Sequence, residues 1–307
     1  MKSAMFDKTR FLFLLAVLGS IGNPRMVLAQ PIAITLIHSK ALLQVDSSNW
    51  NEAWIEVSGI APSAPRLAPK DICVSIRGRR AEVLSVDSIA AKYRCRLALS
   101  FVLDNSGSMF DSYDTLTRAC DSIIDGLPPG VLGEAVTFDN TYRNPWELYT
   151  ADKSTFIAQS KQGTFTGDRK ALRAFWHFYD TIRTPFTPLF DAIAAAVTNI
   201  DDRRLHDTVS RSDVLIVVTD GEDNASRTSV ETLEDILAGN RIRLYAISYR
   251  VREAGRLAWL ARETGGGYFK ARNLHQLKRI LRSIGRVLTR QYYVRYRFPS
   301  LGPSSEE

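Results

Sequence analysis

The chain has 307 residues, of which 45% are hydrophobic and 24% charged, so its composition is that of an ordinary globular protein with enough apolar material for a buried core. Glycine (18 residues) and proline (12 residues) are sparse and follow no period, which excludes collagen-like and low-complexity chains. The formal net charge of +7 is unevenly distributed, because residues 241–299 carry fifteen Lys or Arg against two Glu. Residues 30–240 are acidic in balance.

The first 29 residues have the order of a secretory signal peptide. Basic residues lead into an apolar stretch at residues 11–19, and Ala29 closes a small-residue cleavage site. That stretch has about half of the ~20 residues that a membrane-spanning helix needs. We therefore expect cleavage near Ala29-Gln30 and a secreted or periplasmic protein.

Export bears on the three cysteines, because an oxidising compartment permits disulfides. A bridge from Cys73 to Cys95 would staple a small β-rich segment and leave Cys120 as a buried apolar residue on a helix. The alternative is three buried free thiols, and the sequence does not choose between the two. The sequence contains no C-x-x-C pair, so the cysteines do not indicate a zinc site.

Residues 30–96 alternate short β-like runs with breaks that contain Pro and Ser. The runs are residues 32–37, 53–57, 72–76 and 81–86. This spacing predicts a small all-β domain, built as an antiparallel sandwich or partial barrel. Residues 291–298 alternate apolar or aromatic with basic residues, so we expect a strand that returns to this domain, followed by a flexible tail at 299–307.

Residues 97–290 change to strands that alternate with helices, which predicts an α/β fold with a doubly wound, mostly parallel central sheet flanked by helices. Strands are expected at residues 97–103, 213–218, 241–248 and 267–270, with a hairpin at 131–138 and 146–149. Helices are expected at residues 113–124, 166–179, 188–200, 228–238, 253–263 and 274–289. Ligands of such sheets bind at the carboxyl ends of the strands, so the chemistry is expected there.

Oxygen-bearing side chains collect at these strand ends. The first parallel strand runs into Asp104, Ser106 and Ser108, the central strand runs into Asp220, and Thr187 precedes a helix between them. An oxygen-only set suits Mg²⁺, Mn²⁺ or Ca²⁺. If the hydroxyls contact the ion directly while the carboxylates act through water, a position is left for a carboxylate from a partner protein.

Three motifs carry a family resemblance: Asp-x-Ser-x-Ser at Asp104, Thr-Pro-Leu-x-Asp-Ala at Thr187, and a strand that ends in Thr-Asp-Gly at Asp220. Together they resemble the metal-ion-dependent adhesion site of von Willebrand factor type A domains, and the resemblance covers roughly residues 96–289. It implies a non-catalytic, cation-dependent adhesion or scaffold module whose metal positions are Asp104, Ser106, Ser108, Thr187 and Asp220. Thr184 competes with Thr187 for the threonine position, and residues 151–163 resemble an insertion.

Each motif alone has a structural explanation. Asp104 and Ser106 could cap the following helix, Asp220 could form a turn, and Thr187 could be an N-cap before a proline. Their occurrence in order at strand ends favours the metal site.

Two rival functions remain open. A metal-dependent hydrolase could use Asp104 as a nucleophile, but Ser106 stands where such enzymes place a second acid, so we expect neither catalysis nor a small-molecule substrate.

A basic stripe on the last helix supports the second rival function. It consists of Lys278, Arg282, Arg286 and Arg290. The stripe could be a solvated face, or it could bind an acidic partner or an anionic membrane surface without metal. Export argues against nucleic acid.

Overall fold

The computed structural model describes residues 11–14, 33–41, 51–58, 66–76, 79–89, 93–104, 106–138, 165–177, 187–250 and 255–298. The chain divides into two compact units, one formed by Arg94–Thr289 and the other by Met1–Tyr93 together with Arg290–Glu307. The expected insertion at 151–163, the second half of the expected hairpin and Thr184 lie outside the described residues.

A five-stranded sheet forms the centre of the unit Arg94–Thr289. Its strands are β6 (Leu97–Asp104), β7 (Leu132–Phe138), β8 (Ser212–Thr219), β9 (Arg243–Tyr249) and β10 (Gly267–Ala271). They lie in the order β10-β9-β8-β6-β7, and every neighbouring pair is parallel. The predicted doubly wound sheet is confirmed, and β7 joins it as a parallel edge strand beside β6.

Six helices of the described residues cover this sheet. They are α1 (Phe110–Gly126), α2 (Arg169–His177), α3 (Leu189–His206), α4 (Val230–Asn240), α5 (Gly255–Glu263) and α6 (Leu274–Leu288). Residues of α1 and α6 pack on one face of the sheet, whereas α3, α4 and α5 pack on the other. Every residue of β8 is buried, because both of its faces are covered. None of the described helices is long and apolar enough to span a membrane.

A group of charged side chains, here called the basal ion cluster, lies where the strands β6, β8 and β9 begin. It consists of Arg203, Arg204, Asp207, Arg211 and Asp213. Arg203 donates to Asp213 at 2.6 Å, and the side chains of both residues are no more than 6% exposed. Arg211 donates to Asp207 and to the carbonyl of Gly130. The cluster ties the end of α3 to the amino end of the sheet.

The other unit contains one antiparallel sheet of six strands. These are β1 (Phe11–Leu14), β2 (Ala33–Ala41), β3 (Asn51–Ser58), β4 (Cys73–Ile76), β5 (Arg79–Ser88) and β11 (Gln291–Arg297), in the order β1-β4-β5-β11-β3-β2. The expected antiparallel all-β unit is confirmed, and of the two arrangements considered, a sandwich or a partial barrel, the sandwich was wrong for the described residues, since their strands join edge to edge in one sheet. Their shared apolar face includes Ile55, Val74 and Val294.

The C-terminal strand β11 lies inside this sheet and pairs antiparallel with β3 on one side and β5 on the other. Three aromatic rings pack beside it: Trp54, Tyr93 and Tyr293, with centroids 5.2 to 5.4 Å apart. A chain that returns to complete an earlier sheet leaves the unit discontinuous in sequence. Strand β1 falls within the predicted signal peptide, so cleavage near Gln30 would leave β4 at the sheet edge; that cleavage stays a prediction.

No disulfide joins Cys73 to Cys95. Cys73 is on β4, whereas Cys95 belongs to the core around the parallel sheet, just before β6. All three thiols are free, as in the second alternative, but Cys73 is half-buried and not buried. Cys120 is fully buried on α1, as expected, and burial raises the pKa of its thiol.

Candidate metal centre

The loop after β6 brings three of the predicted ligands together. Asp104 ends the strand and is fully buried, and one of its carboxylate oxygens accepts a hydrogen bond from the backbone N–H of Ser106 at 2.8 Å. A short 3-10 turn (Gly107–Met109) leads directly into α1, and Met109 anchors the loop because its side chain is buried in the core. The hydroxyls of Ser106 and Ser108 are consequently 3.1 Å apart.

Strand β8 delivers the fourth predicted ligand beside this loop. In the parallel register Leu103 lies opposite Val218, so Asp104 comes level with Thr219 and Asp220 follows at the strand end. The Thr219 hydroxyl donates to the second oxygen of Asp104 at 2.5 Å. The Ser108 hydroxyl donates to Asp220 Oδ1 at 2.8 Å. Four of the five predicted oxygen ligands therefore form one continuous hydrogen-bonded group.

Thr187 reaches the same place from the beginning of α3. A Cβ placed on Gly221 would lie 3.4 Å from Thr187 Oγ1, so the Thr187 hydroxyl faces the backbone next to Asp220. Thr187 is 6% exposed. Its N–H donates to the side-chain oxygen of Asn224 at 2.6 Å, and its carbonyl accepts from the N–H of Asn224. All five predicted residues thus lie at the carboxyl edge of the sheet.

The loop after β8 also holds the first turn of α3, a role that sequence reasoning missed. Asp223 accepts from the N–H of Phe190, while the Asp191 carboxylate accepts from the N–H groups of Arg227 and Thr228. The bond to Phe190 satisfies a backbone donor that the start of α3 leaves without a partner inside the helix, whereas the bonds from Arg227 and Thr228 hold the loop before α4 against α3. The acidic and amide residues of Gly221-Glu-Asp-Asn224 were the available signal.

The electrostatics of the site are set by burial. Burial raises the pKa of Asp104 to about 6, against the opposing hydrogen bonds from Thr219 and Ser106. Burial also raises the pKa of Asp220, while the Ser108 hydroxyl and the charge of Arg250 oppose that rise. Asp104 therefore receives hydrogen bonds from neutral donors, whereas Asp220 receives one from the neutral Ser108 hydroxyl and also lies within the influence of the Arg250 charge.

The donor set fits a small divalent cation. Ligand oxygens at 2.1 Å from an octahedral Mg²⁺ lie about 3 Å from one another, which is the spacing of the hydroxyl and carboxylate oxygens of Ser106, Ser108 and Asp220. Ser108 is exposed and Asp220 half-buried, so the site opens to solvent on that side. In the described residues no group of three or more His, Cys, Asp or Glu could hold a metal. This site would therefore depend on hydroxyl ligands.

Three solved structures illustrate what this chain is similar to. A von Willebrand factor type A protein from Catenulispora acidiphila shares 15% identity and a TM-score of 0.48, over 83% of this chain and 49% of that one. Proximal thread matrix protein 1 from the mussel byssus, in a structure with a zinc-occupied MIDAS motif, shares 14% identity and a TM-score of 0.47, over 65% and 47%. The hypothetical protein BatB from Bacteroides thetaiotaomicron shares 16% identity and a TM-score of 0.43, over 62% and 98%.

The chain thus spans about half the length of the mussel proteins that it matches. A search of curated proteins finds no match. The family model of the von Willebrand factor type A domain matches residues 99–283, well over half of the chain. This chain belongs to the von Willebrand factor type A domain family.

Proposed function

We propose that this protein is an exported, non-catalytic binding module that recognises an acidic side chain of a partner protein through a divalent cation. Domains of this family are generally interaction modules. The ion would be held by Asp104, Ser106, Ser108, Thr187 and Asp220, and Mg²⁺ is the first choice, with Mn²⁺ or Ca²⁺ as substitutes. The observation that carries the proposal is a pair of buried or half-buried carboxylates whose partners in the described chain are neutral hydroxyl and N–H donors.

The roles of the residues follow from their exposure and contacts. Asp104 is fully buried and fixed by Thr219, so it sets the negative charge at the floor of the site. Ser106, Ser108 and Thr187 supply uncharged oxygens, which leave a bound ion with positive charge to share. Bound there, a divalent cation offers a coordination position to an anionic ligand. Ser108 and Asp220 border the solvent-facing side, where a partner's carboxylate would enter.

The test selects peptides for binding to the immobilised full-length chain from a random displayed library in the presence of Mg²⁺. We expect every enriched peptide to need one Asp or Glu, to be released by a chelator, and to lose binding when that residue becomes Asn or Gln. Asp220→Ala should capture none of them. Enrichment that survives both the chelator and Asp220→Ala would contradict the proposal.

A second candidate rests on the exposed basic face of α6. Leu277, Leu281, Ile284 and Leu288 are buried on one side of this helix, as predicted. The predicted basic stripe is only partly exposed, because Lys278 is half-buried and Arg290 lies beyond the end of the helix. The exposed arginines of the helix are Arg279, Arg282 and Arg286. Among the described residues, no ion pair joins these three arginines to a carboxylate. This face could bind an acidic partner or an anionic membrane without metal.

The two candidates respond differently to salt. Contacts between exposed charges are screened within ~8 Å at physiological ionic strength, whereas direct coordination is not. Binding through α6 should be lost in about 0.5 M salt and in the double variant Arg282→Glu/Arg286→Glu, yet it should survive a chelator. Binding through the metal centre should show the reverse pattern in the same three measurements.

A further inference from the structure

Arg250 has an unusual backbone conformation at the edge of the metal centre. It is the first residue after β9, and its φ of 61° lies in the left-handed region, which favours glycine. Arg241 (φ 53°) is the other non-glycine residue of the described chain with positive φ, but it is the C-cap of α4, where that conformation is common. Arg250 follows a strand instead, and its N–H donates to the carbonyl of Ala271 at 2.8 Å.

The side chain of Arg250 is restricted by a contact with its neighbour Tyr249. Its guanidinium carbon lies 4.9 Å from the centroid of the Tyr249 ring, a stacking contact that restricts its position. Tyr249 is itself fixed, because it is fully buried and its hydroxyl accepts from Ser112 in the first turn of α1. Ser112 follows four residues after Ser108 in the chain, so these contacts connect Arg250 to the loop of the metal centre.

The sheet register brings Arg250 next to Asp220. Thr219 on β8 lies opposite Ser248 on β9, so Asp220 and Arg250 leave neighbouring strands at the same edge. The charge of Arg250 is near enough to oppose the rise that burial causes in the pKa of Asp220. Arg250 is nevertheless exposed and forms no ion pair with a described carboxylate. Its guanidinium therefore keeps donors that are available to a ligand.

We propose that Arg250 is a second anchor for the carboxylate of the ligand, beside the cation of the metal centre. The inference rests on the proposed function. A guanidinium pairs with a carboxylate through parallel N–H donors, which adds direction as well as charge. A positive charge beside the site repels a cation and attracts an anion. Arg250 therefore raises the affinity for the ligand's carboxylate and does not raise the affinity for the metal. Its left-handed backbone costs stability that glycine would recover.

The experiment compares Arg250→Gly with Arg241→Gly in the full-length chain. Both variants remove one exposed arginine and one left-handed non-glycine residue, so their net charge and backbone relief are matched. Mn²⁺ binding is titrated first by its paramagnetic effect on water relaxation. Acetate is then added as the carboxylate probe, and the relaxation of its methyl protons by protein-bound Mn²⁺ gives its affinity.

In Arg250→Gly we expect acetate to bind the Mn²⁺-loaded protein about fivefold to tenfold more weakly, the size of a partly solvated charge-assisted pair. The Mn²⁺ affinity should stay the same or increase, and Arg241→Gly should match the wild type in both measurements. If Arg250→Gly does not fold, Arg250→Asn carries the test, since Asn tolerates the left-handed region. Acetate affinity in the variant within twofold of the wild type would overturn the inference. Failure of the wild type to bind Mn²⁺, seen before acetate is added, would overturn the proposed function and this inference together.

Discussion

The two ends of the parallel sheet bury carboxylates in different ways. In the basal ion cluster, Arg203 and Arg204 donate to the two oxygens of Asp213 at 2.6 and 2.9 Å. At the opposite end, the fully buried Asp104 accepts from the hydroxyl of Thr219 and the N–H of Ser106. Asp213 is thus neutralised by cations of the chain itself, whereas the hydrogen bonds that Asp104 accepts from described residues come from neutral donors.

This difference separates a structural charge cluster from a candidate binding site within one domain. The negative charge of a buried carboxylate must be compensated by positive charge or hydrogen bonds, and arginines of the same chain compensate it permanently. Neutral hydrogen-bond donors compensate only part of the charge, so a cation from solution can compensate the rest. The site can therefore be empty or filled, while the basal ion cluster has one state.

The largest expected effect is at the basal ion cluster. Asp213→Ala should lower the free energy of unfolding by about 3 kcal/mol, because Arg203 is 6% exposed and would lose one of its two carboxylates. Urea denaturation measures this loss. Mg²⁺ should not restore it. A loss below about 1 kcal/mol would show that the cluster contributes no more than a surface ion pair.

Removal of the buried charge of Asp104, at the other end of the sheet, should not lower the free energy of unfolding and can raise it. Without metal at pH 7, Asp104→Asn should be as stable as the wild type or up to about 2 kcal/mol more stable, because burial disfavours the ionised form of Asp104. Mg²⁺ should raise the melting temperature of the wild type alone. Destabilisation of Asp104→Asn on the scale expected for Asp213→Ala would erase the contrast between the two ends.

The pH dependence sharpens the same contrast. The pKa of Asp104 is raised to about 6 in the folded protein, so between about pH 4 and pH 6 the folded state holds a proton that the unfolded state has released. The stability of the metal-free wild type relative to Asp104→Asn should therefore fall as pH rises through this window, by about 1 kcal/mol per pH unit at most. Urea denaturation of both proteins at several pH values measures the difference. A relative stability that rises with pH would have the wrong sign.

The smallest effect is expected at the exposed rim of the basal ion cluster. Asp201 pairs with Arg204 at 3.1 Å, but the two side chains are 47% and 34% exposed. Asp201→Ala should change the free energy of unfolding by no more than about 0.5 kcal/mol, and added salt should remove the change. Denaturation at low and high salt checks this. An effect as large as that of Asp213→Ala would mean that burial does not distinguish these pairs.

Much of the fold and the site could be predicted because local patterns determine them. Residues 214–218 are apolar throughout, which indicates a central parallel strand, and the carboxyl ends of parallel strands meet at one edge. That rule predicts that Asp104 and Asp220 lie at one site, and the resemblance of their motifs to a known metal site predicts the same. Helix α3 continues to His206, six residues beyond the expected end, because Arg203 and Arg204 find carboxylate partners that only the folded sheet provides.

Other features depend on contacts between distant segments and have no local pattern. Asn224 accepts from the N–H of Thr187 across 37 residues, Asp223 accepts from the N–H of Phe190, and Asp191 accepts from the N–H of Thr228. In the antiparallel unit, the short runs specified strands but not whether they would form one sheet or two. The position of β11 between β3 and β5 decides that question.

Calorimetric titration of Mg²⁺ into the metal-stripped full-length chain tests the central claim most directly. We predict one binding site in the micromolar-to-millimolar range for the wild type. Asp201→Ala should bind equally well, because it removes a carboxylate at the opposite end of the sheet. Asp104→Asn and Asp220→Asn should show no binding. Mg²⁺ affinity in Asp104→Asn and Asp220→Asn equal to that of the wild type would contradict the claim that the neutral-donor end of the sheet holds the cation.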